Sequence, residues 1–201
     1  MRGFWTVSRI VVIILATAAT AIASEPPTET VKRTINEVIG LLTDEALKKP
    51  SQTARRRKLI EEAVGKRFDY EEMTKWSLAA QWNKLSKSEK QEFVQLFQAL
   101  LSNSYANKIE GYSGEQVHYL KELVDGAYAE VRTKIVSTKS EFPVDYRLVN
   151  QSGDWRVYDV VIDGVSLVKN YRSQFQRIIH SSSYRELVEK LRKKSADIKA
   201  P

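Results

Sequence analysis

The sequence predicts an α+β domain, a curved four- to five-stranded antiparallel sheet covered by several helices, and three observations carry that expectation. Between Val117 and Ile162 the apolar residues alternate, while on either side of that block they recur at helical spacing. Strand signals are consecutive and separated by short turns at Asp125-Gly126, Thr138 to Glu141 and Ser152-Gly153, which leaves room only for antiparallel neighbours. Helical patterns stand before and after the sheet rather than between its strands, the α+β order.

Taken from the N-terminus, residues 1–23 read as a secretion signal. Arg2 and Arg9 supply a basic start, Ile10 to Ala18 an apolar core, and Ala21-Ile22-Ala23 a small-x-small cleavage site. A chain beginning at Ser24 and running to 201 is the size of one domain with a full core. No cysteine is present among the 201 residues, which excludes a disulfide framework and a lipid-accepting Cys. Of 32 basic residues, all but Arg2 and Arg9 remain after Ala23 against 25 acidic ones, a balance of about +5. With no aromatic-basic interleaving, that charge suits an anionic membrane surface or an acidic partner rather than nucleic acid.

Thr28 to Leu47 places Val31, Ile35, Val38, Ile39 and Leu42 on one face of a covering helix, preceded by Pro26-Pro27 and terminated by Pro50. Arg55-Arg56-Arg57-Lys58 is a charge run on the next helix, whose buried side is Leu59, Ile60, Val64 and Phe68. Asp69 with Glu72, and Ser86 with Glu89, match the capping box and mark two further helix starts. The second opens a long helix with a broad stripe through Phe93, Leu96, Phe97, Leu100, Leu101, Tyr105 and Ile109, ended by Gly111 and Gly114.

Four strands follow at Val117 to Leu120, Tyr128 to Ser137, Phe142 to Asn150 and Trp155 to Ile162. Val160-Val161-Ile162 breaks alternation, which predicts a bulge or burial on both faces. Asp163-Gly164 then turns the chain, Ser166 caps a helix, and Leu167, Tyr171, Phe175, Ile178 and Ile179 form its apolar stripe. A last helix from Ser183 carries Leu187, Val188 and Leu191 beside Arg185, Lys190, Arg192, Lys193 and Lys194, and residues from about 195 read as a frayed tail.

The chemistry the residues exclude is as informative. His118 and His180 are too few and too separate for a metal site, and no phosphate loop or nucleophile elbow is present. Asp159 lies in an apolar strand and needs a cation or backbone amides; Arg147 and Arg172 are the candidate partners.

Trp155-Arg156-Val157-Tyr158-Asp159-Val160, Asp163-Gly164-Val165-Ser166-Leu167 and Asn170-Tyr171-Arg172-Ser173-Gln174-Phe175 together resemble the signature of the MlaC proteins, also called the toluene-tolerance family. The resemblance extends upstream through Phe68 to Trp82 and Tyr146-Arg147-Leu148, with one departure at Ala79, where the family's Leu-Gly-x-x-Trp element has glycine; the extra methyl there bears on helix packing. It implies a soluble, monomeric periplasmic carrier, not an enzyme, whose sheet and helices enclose a deep apolar pocket for phospholipid as cargo, with no other cofactor. It also implies partners: an inner-membrane ABC-transporter complex and an outer-membrane lipoprotein complex, between which lipid is shuttled to maintain outer-membrane asymmetry. For the pocket wall the expectation is Phe97, Leu101, Tyr105, Val131, Ile135, Tyr146, Leu148, Trp155, Val157, Val161, Val165 and Leu167; the joint that opens it is expected at Asp163-Gly164-Val165-Ser166, the rival gate being between Asn107 and Gln116, around Gly111 and Gly114. Two other readings stay open: a small isomerase or hydrolase using Asp159 in the same cavity, and an adaptor with no ligand.

Overall fold

A computed structural model describes residues 25–138 and 140–196. The expected secretion signal at 1–23 lies outside the described residues, as do 197–201 of the tail expected from about 195, and the last helix continues through Ala196.

Four helices precede the sheet: α1 (Pro27–Thr43), α2 (Thr53–Gly65), α3 (Tyr70–Leu78) and α4 (Lys87–Glu110). Helix α1 stops well before Pro50, because the Asp44 carboxylate accepts from the amides of Ala46 and Leu47 and folds the chain into a side-chain-closed turn. Asp69 accepts from the Glu72 amide at the start of α3, and Ser86 and Glu89 form the full reciprocal box at the start of α4.

The sheet is a meander in the order β1 (Gln116–Asp125), β2 (Tyr128–Val136), β3 (Glu141–Gln151), β4 (Asp154–Ile162) and β5 (Val165–Ser166), all neighbours antiparallel. β1 runs five residues beyond Leu120. Its register shifts between Tyr119 and Lys121, and as an exposed edge it carries polar residues that hide the alternation. Helices α5 (Leu167–Ser181) and α6 (Tyr184–Ala196) close the chain.

A bulge in β4 organises the faces of the sheet. Arg147 pairs with Asp159 but Leu148 with Val157, so Tyr158 is an extra residue and the inward parity changes across it. Trp155 and Val157 point inward before the bulge, and Val160 and Ile162 after it. Asp159 and Val161 therefore face the other way.

Two apolar clusters result. One is helical, drawn from α3 to α6, with Phe93, Phe97, Met73 and Leu187 almost fully buried. The other joins the inner face of the sheet to α1 through Val31, Ala129, Val131, Leu148 and Trp155. Phe68 and Tyr105 touch both.

Candidate functional site

Three helices and a sheet that do not close on one another leave a cavity of about 530 Å³ between α1, α2, the C-terminal half of α4 and the inner face of the sheet. Helix α1 turns Ile35, Val38, Ile39 and Leu42 toward it, and α2 adds Ile60 and Val64. From α4 come Leu101, Tyr105, Ala106 and Ile109; the sheet supplies Val117, Ile135, Phe142, Val144, Tyr146, Val157, Val160 and Ile162. The α1 residues are only half-buried although they face inward, because they border space instead of packed side chains.

The charged and hydroxyl residues of the lining come mainly from α2 and the ends of α4, β2 and β3: Arg57, Glu61, Lys108, Glu110, Glu115, Ser137 and Ser140. Arg57 donates from Nε and Nη2 to the two oxygens of Glu110 at 2.8 and 2.9 Å, joining α2 to the end of α4. Arg56 stands beside the same carboxylate, its Nη2 3.7 Å away. The Arg57 hydrogen bond holds the Glu110 carboxyl below the usual range for a glutamate. Within the lining, burial pushes the phenols of Tyr105 and Tyr146 up and that of Tyr70 to about 12, so all three keep their protons at neutral pH. The aliphatic and aromatic part of this surface can solvate hydrocarbon.

Of the twelve residues expected on the wall, the structure brings six to this cavity: Leu101, Tyr105, Ile135, Tyr146, Val157 and Leu167. Phe97 instead packs edge-on against Tyr171 and Phe175 within the helical cluster. Val131, Leu148 and Trp155 lie in the sheet cluster, outside the lining. Val161 is turned to the opposite face by the bulge at Tyr158, and Val165 is exposed beside the turn. The face of α1 was legible as an amphipathic stripe, but periodicity does not distinguish a helix that covers a core from one that covers a cavity.

Asp159 is on the far side of β4 from the cavity. Its Oδ2 accepts from Ser166 Oγ at 2.6 Å and from Arg147 Nη1 at 3.1 Å, and its Oδ1 from the Val168 amide at 3.1 Å. Arg147 is the partner; Arg172 is exposed on α5. These bonds fasten the N-terminus of α5 to β4 just past the Asp163-Gly164 turn. A carboxylate so engaged, away from the cavity, gives the hydrolase reading nothing to work with.

A second, open groove of about 610 Å³ lies over Asp69, Glu71, Glu72, Lys75, Gln151 and Arg156. It is polar, and Asp69 within it is already held by Gln151 and the Glu72 amide. Among the described residues there is no cluster of three His, Cys, Asp or Glu able to hold a metal, and no helix long and apolar enough to cross a membrane.

Comparison with known proteins gives the lineage of this architecture. The chain matches the profile of the MlaC protein family across residues 32–193, most of its length and all of the cavity except part of Val31's helix turn. The chain belongs to the MlaC family. One MlaC relative is the intermembrane phospholipid transport system binding protein of Haemophilus influenzae, 26% identical over 125 residues, 59% of this chain and 58% of that protein's length. Another is toluene tolerance protein ttg2D of Pseudomonas putida, 24% identical over 169 residues, 83% of this chain and 79% of that protein. Among solved structures, the phospholipid-binding protein of Ralstonia solanacearum, determined with a phospholipid, superposes with a TM-score of 0.78 at 22% identity, covering 86% of this chain and 98% of that one. At that identity the likeness is one of fold.

Proposed function

We propose that this MlaC-family protein is a periplasmic phospholipid carrier, which takes acyl chains into the cavity and shuttles lipid between an inner-membrane ABC-transporter complex and an outer-membrane lipoprotein complex, so maintaining outer-membrane asymmetry. The observation that carries the reading is the cavity itself: about 530 Å³ lined by aliphatic and aromatic side chains from helices and sheet, in a fold shared with a protein solved with phospholipid. The energetic need for such a device is large. Two acyl chains hold roughly 30 methylenes at ~0.8 kcal/mol each, so exposing them to water costs on the order of 20 kcal/mol. A carrier needs only to cover them.

Leu101, Tyr105, Ile135, Tyr146, Val157 and Leu167 are assigned to chain contact, together with Ile35, Val38 and Ile39 of α1. Mass spectrometry of an organic extract of the purified protein tests the reading. Co-purified phospholipid near one molecule per chain is the expected result; a protein that is reproducibly free of lipid, and takes none up from vesicles, is an adaptor and not a carrier.

A further inference from the structure

At the cavity lining, two guanidinium groups share one carboxylate. Arg57 engages Glu110 with a two-toothed fork, and Arg57 Nη2 also reaches Asn107 Oδ1 at 3.5 Å. Arg56 approaches the same carboxylate at 3.7 Å and donates from Nη1 to the Leu47 carbonyl at 3.3 Å, but its buried Nε has no hydrogen-bond partner. A buried guanidinium donor without an acceptor is costly, and two guanidinium groups draw their ion pairs from the one Glu110 carboxylate. Glu61 lies near enough to act on Arg57 through space, yet no hydrogen bond joins them. The fork that Arg57 shows to Glu110 is the geometry that guanidinium also shows to a phosphate.

We propose that Arg57, backed by Arg56, is the phosphate-binding site of the cavity, with Glu110 as an internal stand-in that the phosphate diester of a glycerophospholipid displaces when its chains enter. The inference deepens the carrier reading and rests on it. Displacing Glu110 exchanges one anion for another at Arg57 and at the same time releases α2 from the end of α4, so lipid entry and loosening of the cavity wall are one event. Uncharged lipids with the same chains fill the cavity without that exchange.

Binding of two short-chain probes, a phosphatidylglycerol and the diacylglycerol with identical chains, tests the site in wild type, Arg57→Gln and Glu110→Gln, each first checked for an unchanged circular-dichroism spectrum. Arg57→Gln is expected to weaken phosphatidylglycerol binding about tenfold, the worth of one charge-assisted hydrogen bond, and to leave diacylglycerol binding within about twofold. Glu110→Gln, which removes the competitor, is expected to tighten phosphatidylglycerol binding. If both variants weaken both probes alike, the pair is merely a structural clasp and the inference is wrong. Free phosphate is separated by NMR of the Arg57 side chain: millimolar inorganic phosphate is expected to leave its Nε signal in place, and a shift equal to that produced by the lipid assigns the site to free phosphate instead. Wild type that binds neither probe overturns the carrier reading itself, a result distinct from loss of phosphate preference alone.

Discussion

The helical cluster and the cavity are built from the same kinds of side chain, yet one packs solid and the other does not. In the cluster, Phe97 meets Tyr171 and Phe175 at ring separations of 5.2 and 5.4 Å, and Phe93 meets Phe175 at 5.5 Å, all near edge-on. Rings interlocked in this way leave no space and fix the angles between α4, α5 and α6. Around the cavity, aliphatic stripes on α1 and α2 face a twisted sheet across a gap that they do not fill, and α2 is tied to α4 by the Arg57 pair with Glu110. The fixed side is reinforced by Asp159, which clips the start of α5 to β4. One half of the molecule is therefore packed solid, and the other half encloses the cavity to which the proposed function assigns the lipid.

The sharpest way to break that contrast is a crossed pair of variants. Phe97→Ala removes a fully buried ring and is expected to cost about 3–5 kcal/mol of unfolding free energy by urea denaturation, while folded molecules retain lipid. Ile39→Asp, on a half-buried wall position, is expected to cost about 1 kcal/mol or less of stability and to abolish lipid retention, because a carboxylate would sit against hydrocarbon. The contrast fails if Phe97→Ala loses lipid, or if Ile39→Asp keeps it.

How far this division could be read from sequence depends on the element. Fold class, helix caps and sheet order were legible because each rests on local chemistry: Ser86 and Glu89 close a box, and Asp125-Gly126 makes a turn whatever surrounds it. Of the residues expected on the wall, six line the cavity and six do not. Val161 was assigned inward because alternation was counted through Tyr158, and a bulge, which one residue inserts, reverses every face beyond it. Phe97 and Val131 were assigned to the wall because a buried apolar residue at the right period looks the same beside a core as beside a cavity. The joint expected at Gly164 was read from the turn alone, and the contact of Asp159 with the Val168 amide that spans it has no local signal in the sequence.

Ala79 gives a smaller and opposite test, since it concerns strain within the solid half. The resemblance implies glycine at this position, and the backbone here suits one. Ala79 has φ +50° and ψ −126°, a backbone conformation that costs an L residue with a side chain and costs glycine little. The expectation of a packing problem is thus corrected to one of dihedral strain. Ala79→Gly is expected to raise stability by about 1 kcal/mol, visible as a higher urea midpoint with unchanged slope. Lipid retention should not move, as Ala79 does not line the cavity.

The smallest expected effect concerns the Arg57 tie on the cavity side. Arg57 holds the Glu110 carboxyl below the ordinary glutamate value of about 4.3, so the folded form favours the ionised state more than the unfolded chain does. The tie's contribution is therefore complete above that ordinary value and is lost as pH falls through the lower folded one. Because Arg57 is substantially exposed and its charge is screened, the free energy involved is under about 1 kcal/mol. Hydrogen exchange is sensitive enough to see it locally. Protection of the α2 amides is expected to fall on acidification in wild type beyond the change in Glu110→Gln, in which the carboxylate is already gone. Identical pH profiles in the two proteins would mean that Glu110 does not hold α2, and that the looser half of the molecule is kept in place by apolar contact alone.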